Sequence, residues 1–216
     1  MFLRRLARRT WSFFELYVTA ADHHLPPDNV QEHPVARVAH RTSPTNMGFA
    51  LLAGVAAREF GYVATGQLLA RLDAALATME RMPRYRGHFY NWYDTTTLEP
   101  LRPRYVSTVD SGNLAAQLIT LQSALLAVAD EPLLPVAWSE GVHDTFGVLV
   151  ESVAEDPRKE DTALRDALVR FSRMLLARRA RPPVTLSDWH AMLDALEAGA
   201  VSICGALRLP APPDEA

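Results

Sequence analysis

Two windows of this chain concentrate the side chains that could do chemistry. Residues 86–94 read Arg-Gly-His-Phe-Tyr-Asn-Trp-Tyr-Asp, and residues 105–113 read Tyr-Val-Ser-Thr-Val-Asp-Ser-Gly-Asn. Aromatic rings that stack on C–H faces, beside planar amides, carboxylates and hydroxyls that grip hydroxyl pairs, are the chemistry of a sugar site. If residues 88–93 are extended, alternation puts Tyr90 and Trp92 on one face, as a sugar platform or as a satellite core beneath a long loop. Phe89 and Tyr93 have the same two readings. Asp110, Ser111 and Asn113 suit a helix N-terminus by backbone capping alone. Capping by one leaves the others open to a ligand, and Gly112 permits close approach to backbone. Asp94 precedes Thr95-Thr96-Thr97 and is either a turn residue or a ligand contact.

A second polar window, residues 22–46, holds His23, His24, Asp28, Asn29, Glu32, His40, Arg41, Thr42 and Asn46. Arg41 to Asn46 sits at a predicted helix start, where the dipole and a guanidinium favour an anionic or hydroxyl-rich ligand. Alternatively, Arg41 ties the loop down through backbone carbonyls. The histidines lack HExxH or comparable ligand spacing, so no metal and no cofactor is expected. No G-x-S-x-G elbow supports a nucleophilic serine.

These windows lie between segments with helical periodicity. Apolar residues recur at helical spacing over residues 3–20, 43–60, 65–83, 114–128, 137–153, 161–179 and 187–207. Ser43-Pro44 is a helix start, Asp110 or Ser111 is expected to cap the fourth helix, and Ser187 or Thr185 the last. The roughly 25 residues between Arg84 and Thr108 exceed the about 2–8 that a helix–helix connection needs. There, 88–93 and 104–108 are expected to pair as a short β-hairpin. The chain thus reads as all-α, a set of stacked α-hairpins of toroid or solenoid type. Residues 1–208 form the helical domain, and 209–216 a disordered tail. The charge-rich segments 155–161 and 178–181 read as solvated helix ends.

The 216 residues suffice for a sizeable core, and 49% hydrophobic with 22% charged residues is a globular composition. A net charge of −3 gives no electrostatic case for nucleic acid. The single Cys204 excludes an intrachain disulfide and reads as a small apolar helix residue. The N-terminus lacks the apolar stretch of a secretory signal, and no unbroken apolar run approaches about 18 residues, so no membrane span and a cytoplasmic location are expected.

Residues 25–29 (Leu-Pro-Pro-Asp-Asn), 39–46 (Ala-His-Arg-Thr-Ser-Pro-Thr-Asn), 87–94 and 107–113 resemble, in order, the central glycoamylase-like region of cyclic β-1,2-glucan synthases. The resemblance runs from about Arg9 to Leu125 and rests on helical pattern alone beyond about Pro132. It implies part of an (α/α)6-type toroid and a β-1,2-glucan or related oligosaccharide as partner. In that family the central region closes the glucan ring by transglycosylation, with two carboxylates across the glycosidic bond. The substrate contacts it implies are Arg41, Thr42, Asn46, Tyr90, Asn91, Trp92, Asp94, Ser107, Asp110, Ser111 and Asn113. Family members are very large inner-membrane proteins with further catalytic parts that this chain lacks. The catalytic glutamates are expected downstream of residues 110–113. No motif surrounds Glu140 or Glu151, so Asp110 is the carboxylate to consider here. The expectation is a fragment or truncated relative of the transglycosylation domain, in which half a toroid self-associates or joins the remaining synthase segments. Its alternatives are a noncatalytic carbohydrate-binding or interaction module and an inert gene fragment.

Overall fold

The computed structural model describes residues 2–132, 137–156, 161–180 and 183–207. The expected tail at 209–216 lies outside them, as do 157–160 and 181 of the charge-rich segments. The described chain is all-α with only two-residue strands beside its helices. The helices are α1 (Phe2–Tyr17), α2 (Pro44–Glu59), α3 (Thr65–Arg81), α4 (Thr108–Ala129), α5 (Ala137–Ala154), α6 (Thr162–Ala180) and α7 (Leu186–Leu207). The strands are β1 (Val30–Gln31), β2 (Arg37–Val38), β3 (Arg41–Thr42), β4 (Arg84–Tyr85), β5 (His88–Phe89) and β6 (Tyr93–Asp94). Contacts divide the chain into two units, Met1–Thr145 and Phe146–Ala216, with the boundary inside α5.

In the first unit α2 packs chiefly against α4, and also against α3 and α1. Each contact follows from local sequence. Ser43 caps α2, its Oγ accepting from Asn46 N at 3.3 Å, and Pro44 occupies the first turn, where a missing N–H costs nothing. The far end closes in a Schellman arrangement, Gly61 N donating to Arg58 O and Tyr62 N to Ala57 O. Gly61 has φ +79, and a Cβ there would lie 2.1 Å from the carbonyl oxygen of Ala137, so both conformation and space demand glycine. On α3, Leu68, Leu72, Ala75 and Met79 recur at spacings of 4, 3 and 4 and are all buried. They join Trp11, Leu25, Met47, Leu51, Tyr93, Leu114 and Leu121 in one core. Burying each large member contributes about 1.5–3 kcal/mol. The α2–α4 approach is close at Gly48, where a Cβ would overlap the Gln117 side chain.

Arg58, 2% exposed, lies at the end of α2 with Glu59 and Glu131, the latter just past α4. Arg4 of α1 reaches Asp144 at 2.7 Å, and Asp144 also accepts from Tyr62 Oη. In the second unit α6 and α7 pack on one another, with Gly199 set against the Phe171 ring and Leu164, Phe171, Met192 and Ile203 buried. Phe146 meets Phe171 with ring centroids 5.1 Å apart.

Two expectations need correction. A short hairpin does form in the loop between Arg84 and Thr108, but 88–93 does not pair with 104–108, and residues 104–108 contain no strand. Instead β4 pairs with β5 across Arg86-Gly87, and β6 pairs with β3, leaving a single backbone bond from Asn91 N to Tyr105 O. Both Arg86 and Gly87 have positive φ, the condition of the tight turn that suits strand twist. The fourth helix is capped by Ser107, whose Oγ accepts from Asp110 N at 3.1 Å, so Asp110 and Ser111 lie inside its first turn. Separately, α4 and α7, at 22 residues each, are long and apolar enough on average to cross a membrane by length and composition only, although neither is an unbroken apolar run. Of these, α4 packs on α2 and carries Asp110 and Gln117.

Candidate carbohydrate site

Both polar windows converge because β3 and β6 pair antiparallel, with Arg41 opposite Asp94 and Thr42 opposite Tyr93. Alternation then sorts the side chains. Asn91, Tyr93 and Thr95 are buried, while Tyr90, Trp92 and Asp94 between them are half-buried. Thr42 joins the inward set, fully buried opposite Tyr93. Arg41 joins the outward set, its guanidinium carbon 5.0 Å from the centroid of the Trp92 ring. One face of that indole is therefore covered by a cation–π contact.

Arg41 is held in turn by Asp28, whose Oδ2 accepts from Arg41 Nη2 at 2.8 Å and Nε at 3.1 Å. Asp28 Oδ2 also accepts from Asn29 Nδ2, and its Oδ1 from Asn46 Nδ2 at 3.5 Å. The preceding residue of α2, Thr45, donates its hydroxyl to Asp110 Oδ1 at 2.6 Å and accepts from Asn113 Nδ2 at 3.1 Å. The first turns of α2 and α4 thus meet through their polar side chains.

Asn91 completes the arrangement. With its amide oriented to satisfy its neighbours, Nδ2 donates to Asp110 Oδ2 at 3.0 Å. Its Oδ1 accepts from Tyr105 Oη at 2.7 Å and from Trp92 Nε1 at 2.6 Å. A continuous relay runs from Trp92 through Asn91, Asp110 and Thr45 to Asn113. Burial of Asp110 works to raise its pKa. Hydrogen bonds from Ser107, Thr45 and Ser43 outweigh it and hold the carboxyl below the usual carboxylate range. Asp110 is an anion at neutral pH, suited to accept hydrogen bonds and unsuited to donate a proton.

The expected contacts therefore divide. Arg41, Asn46, Asn91, Trp92, Asp110 and Asn113 are brought together. Thr42 points into the core, Ser107 is occupied as a helix cap, and Ser111 Oγ is buried without a hydrogen-bond partner. Tyr90 leans on the core with its ring centroid 6.4 Å from that of Tyr93. Asp94 Oδ1 accepts from Thr96 Oγ1 and from the backbone N–H of Thr96 and Thr97, which shapes the loop tip. The Thr96 hydroxyl leads in lowering its pKa. Asp28, Thr45 and Tyr105 belong to the network without having been singled out as contacts. Asp28 and Thr45 stand in the recognised motifs, and their short polar side chains beside Asn29 and Asn46 were the available signal.

Among the described residues no group of three His, Cys, Asp or Glu side chains could hold a metal ion. No protein-family model matches the chain. Over 166 residues, 76% of its length, the chain is 48% identical to the cyclic β-(1,2)-glucan synthase NdvB of Rhizobium meliloti (strain 1021), spanning 6% of that protein. Solved structures of glucoamylase-like proteins are also similar. One from Bacteroides fragilis gives a TM-score of 0.47 at 17% identity, covering 66% of this chain and 33% of its own. One from Bacteroides caccae gives 0.46 at 20%, covering 66% and 35%.

Proposed function

We propose that this chain, a partial relative of the cyclic β-1,2-glucan synthases, binds a β-1,2-linked glucan or related oligosaccharide without turning it over, as one wall of a toroidal transglycosylation domain. The observation that carries this reading is the relay from Trp92 to Asn113, which draws on the long loop and on both helix starts. The 48% identity to a synthase of this chemistry supports the choice of ligand. The ring face of Trp92 away from Arg41 serves as the stacking surface. Asp110 and the amides of Asn46 and Asn113 grip hydroxyl pairs.

Retaining glycosyl transfer needs a carboxylic acid that protonates the leaving oxygen and a carboxylate nucleophile about 5–5.5 Å away. Asp110 is held ionised and so lacks the proton for the first role. Both oxygens of Asp28 are engaged by Arg41, Asn46 and Asn29. Neither carboxylate of the network is thus set up as the acid that protonates the leaving oxygen, and the reading is therefore one of binding.

Titration of the purified chain with linear β-1,2-glucan, with mass analysis of the recovered sugar, tests this. Expected is measurable binding, unchanged glucan, and at least about a tenfold loss of affinity in Trp92→Ala, from the lost stacking. Cyclic products or altered chain lengths would replace the binding reading with an enzymatic one. A folded protein with no affinity for the glucan would defeat both.

A further inference from the structure

Beside Asn91 and Trp92 the chain takes a detour. Tyr93 bridges Pro100 in antiparallel fashion, and Leu101 N donates to Trp92 O at 2.9 Å, a register that would set residue 102 opposite Asn91. Asn91 N instead donates to Tyr105 O at 2.9 Å. Residues 102–104 are therefore extra to the pairing, and all three are exposed. Such a bulge re-aims the side chains it carries. The Tyr105 hydroxyl, donating to Asn91 Oδ1 at 2.7 Å, fixes its foot to the relay. The residues so presented, Arg102, Pro103 and Arg104, line an open recess at the surface.

Charge is gathered on that bulge. Residues 81–105 hold five arginines against two carboxylates, Asp94 and Glu99, in a chain whose net charge is −3. Three of the five arginines are engaged elsewhere. Arg81 donates to Thr78 Oγ1, Arg84 donates to the Met79 carbonyl and lies over the Phe89 ring, and Arg86 lies over the Tyr85 ring. The bulge carries the other two. Arg104 meets Glu99 only at 3.8 Å, with the two side chains 49% and 68% exposed. Arg102 has no hydrogen bond, ion pair or ring contact among the described residues. The carboxylates of the relay do not neutralise them, since Asp28 is held by Arg41, and Asp110 by Thr45 and Asn91.

We propose that Arg102 and Arg104 form an anion subsite at the edge of the candidate glucan site, taking a carboxylate or phosphate carried on the sugar. A single surface arginine needs no partner. Two of them on a three-residue bulge, anchored at both ends to Asn91 and Trp92, put a pair of guanidinium forks beside the stacking ring. That fork matches the oxygens of a carboxylate or phosphate, which a neutral sugar lacks. The ligand that uses the whole arrangement is an acidic glucan, with one ring on Trp92 and its charged substituent on the bulge. The inference rests on the glucan reading of the site and adds the class of sugar that the site prefers.

Titration calorimetry of the full chain with linear β-1,2-glucan, and with its carboxymethyl and carbamoylmethyl derivatives, tests it. The two derivatives match in shape and differ in charge. At low salt the carboxymethyl form should bind about tenfold tighter than the carbamoylmethyl form, the scale of a charge-assisted contact. Added salt should close that gap. Arg102→Gln and Arg104→Gln should each narrow it and the double variant should remove it. Affinity for the unmodified glucan and the melting temperature should stay unchanged, because both side chains are exposed. Equal affinity for the two derivatives, or a gap that survives in the double variant, would overturn the inference while leaving neutral-glucan binding in place. Tight, saturable binding of inorganic phosphate without glucan, lost in the double variant, would also overturn it by giving the recess to a free anion. No affinity for any of the three glucans would defeat the glucan reading together with this one.

Discussion

Asn91 does more than any single residue to organise the candidate site. It is 7% exposed, and its amide satisfies the Asp110 carboxylate, the Trp92 indole N–H and the Tyr105 hydroxyl together. Asn91→Ala leaves the Trp92 N–H without its partner and takes one hydrogen bond from Asp110, which keeps Thr45, at a cost of about 1–3 kcal/mol. For a chain of this size, a melting transition lower by several degrees would register it. Tyr93 offers an independent check. Its hydroxyl donates to the Pro83 carbonyl and accepts from Tyr90 N, both at 2.7 Å, and burial pushes its pKa up to about 12. The raised value means that the folded state holds its proton more tightly than the unfolded chain, whose tyrosines titrate near 10. Its contribution to stability is fully present below about pH 10 and is lost as pH rises toward 12. Alkaline denaturation should therefore begin at lower pH for the parent than for Tyr93→Phe, once the neutral-pH stabilities of the two are matched. Asp110 has the opposite sign. Its depressed pKa contributes stability above the ordinary carboxylate range that is lost as pH falls below about 4. Asp110→Asn should flatten that acid limb.

At the scale of elements, legibility followed the kind of signal each segment carries. Helices α2 and α3 begin where Ser43-Pro44 and Thr65 place them, because capping and helical periodicity are local. The fourth helix starts three or four residues earlier than expected, since several of its first-turn residues are capping types and only geometry selects Ser107. The strands were harder still. Pairing of β3 with β6 joins residues about fifty apart in sequence, and no periodic pattern in a two-residue strand announces its partner. The two polar windows that meet in the candidate site were visible in sequence, while the division into inward Thr42 and outward Arg41 depended on that pairing. The Schellman end of α2 gives the prediction at this scale. Gly61→Ala places a Cβ 2.1 Å from the Ala137 carbonyl oxygen at φ +79. It should destabilise by more than the about 1 kcal/mol of an ordinary glycine-to-alanine change at positive φ, measured by denaturant midpoint.

For the molecule as a whole, the site depends on how the helices of the first unit approach one another. Thr45 stands at the start of α2 and Asp110 at the start of α4, and the relay exists only while those two starts stay in register. One turn further along, Gly48 meets Gln117, and a Cβ at 48 would lie 1.9 Å from the Gln117 Oε1 and 3.0 Å from its Cβ. Retreat of the flexible amide would relieve the first overlap and leave the second in place. Position 48 is thus a wedge point: added volume there would prise the helix starts apart and slacken the Thr45–Asp110 bond with every site residue unchanged. A ladder of Gly48→Ala, Ser and Val should lower glucan affinity in order of side-chain volume. That would make the spacing between two helices an adjustable dial for sugar affinity, set from outside the site.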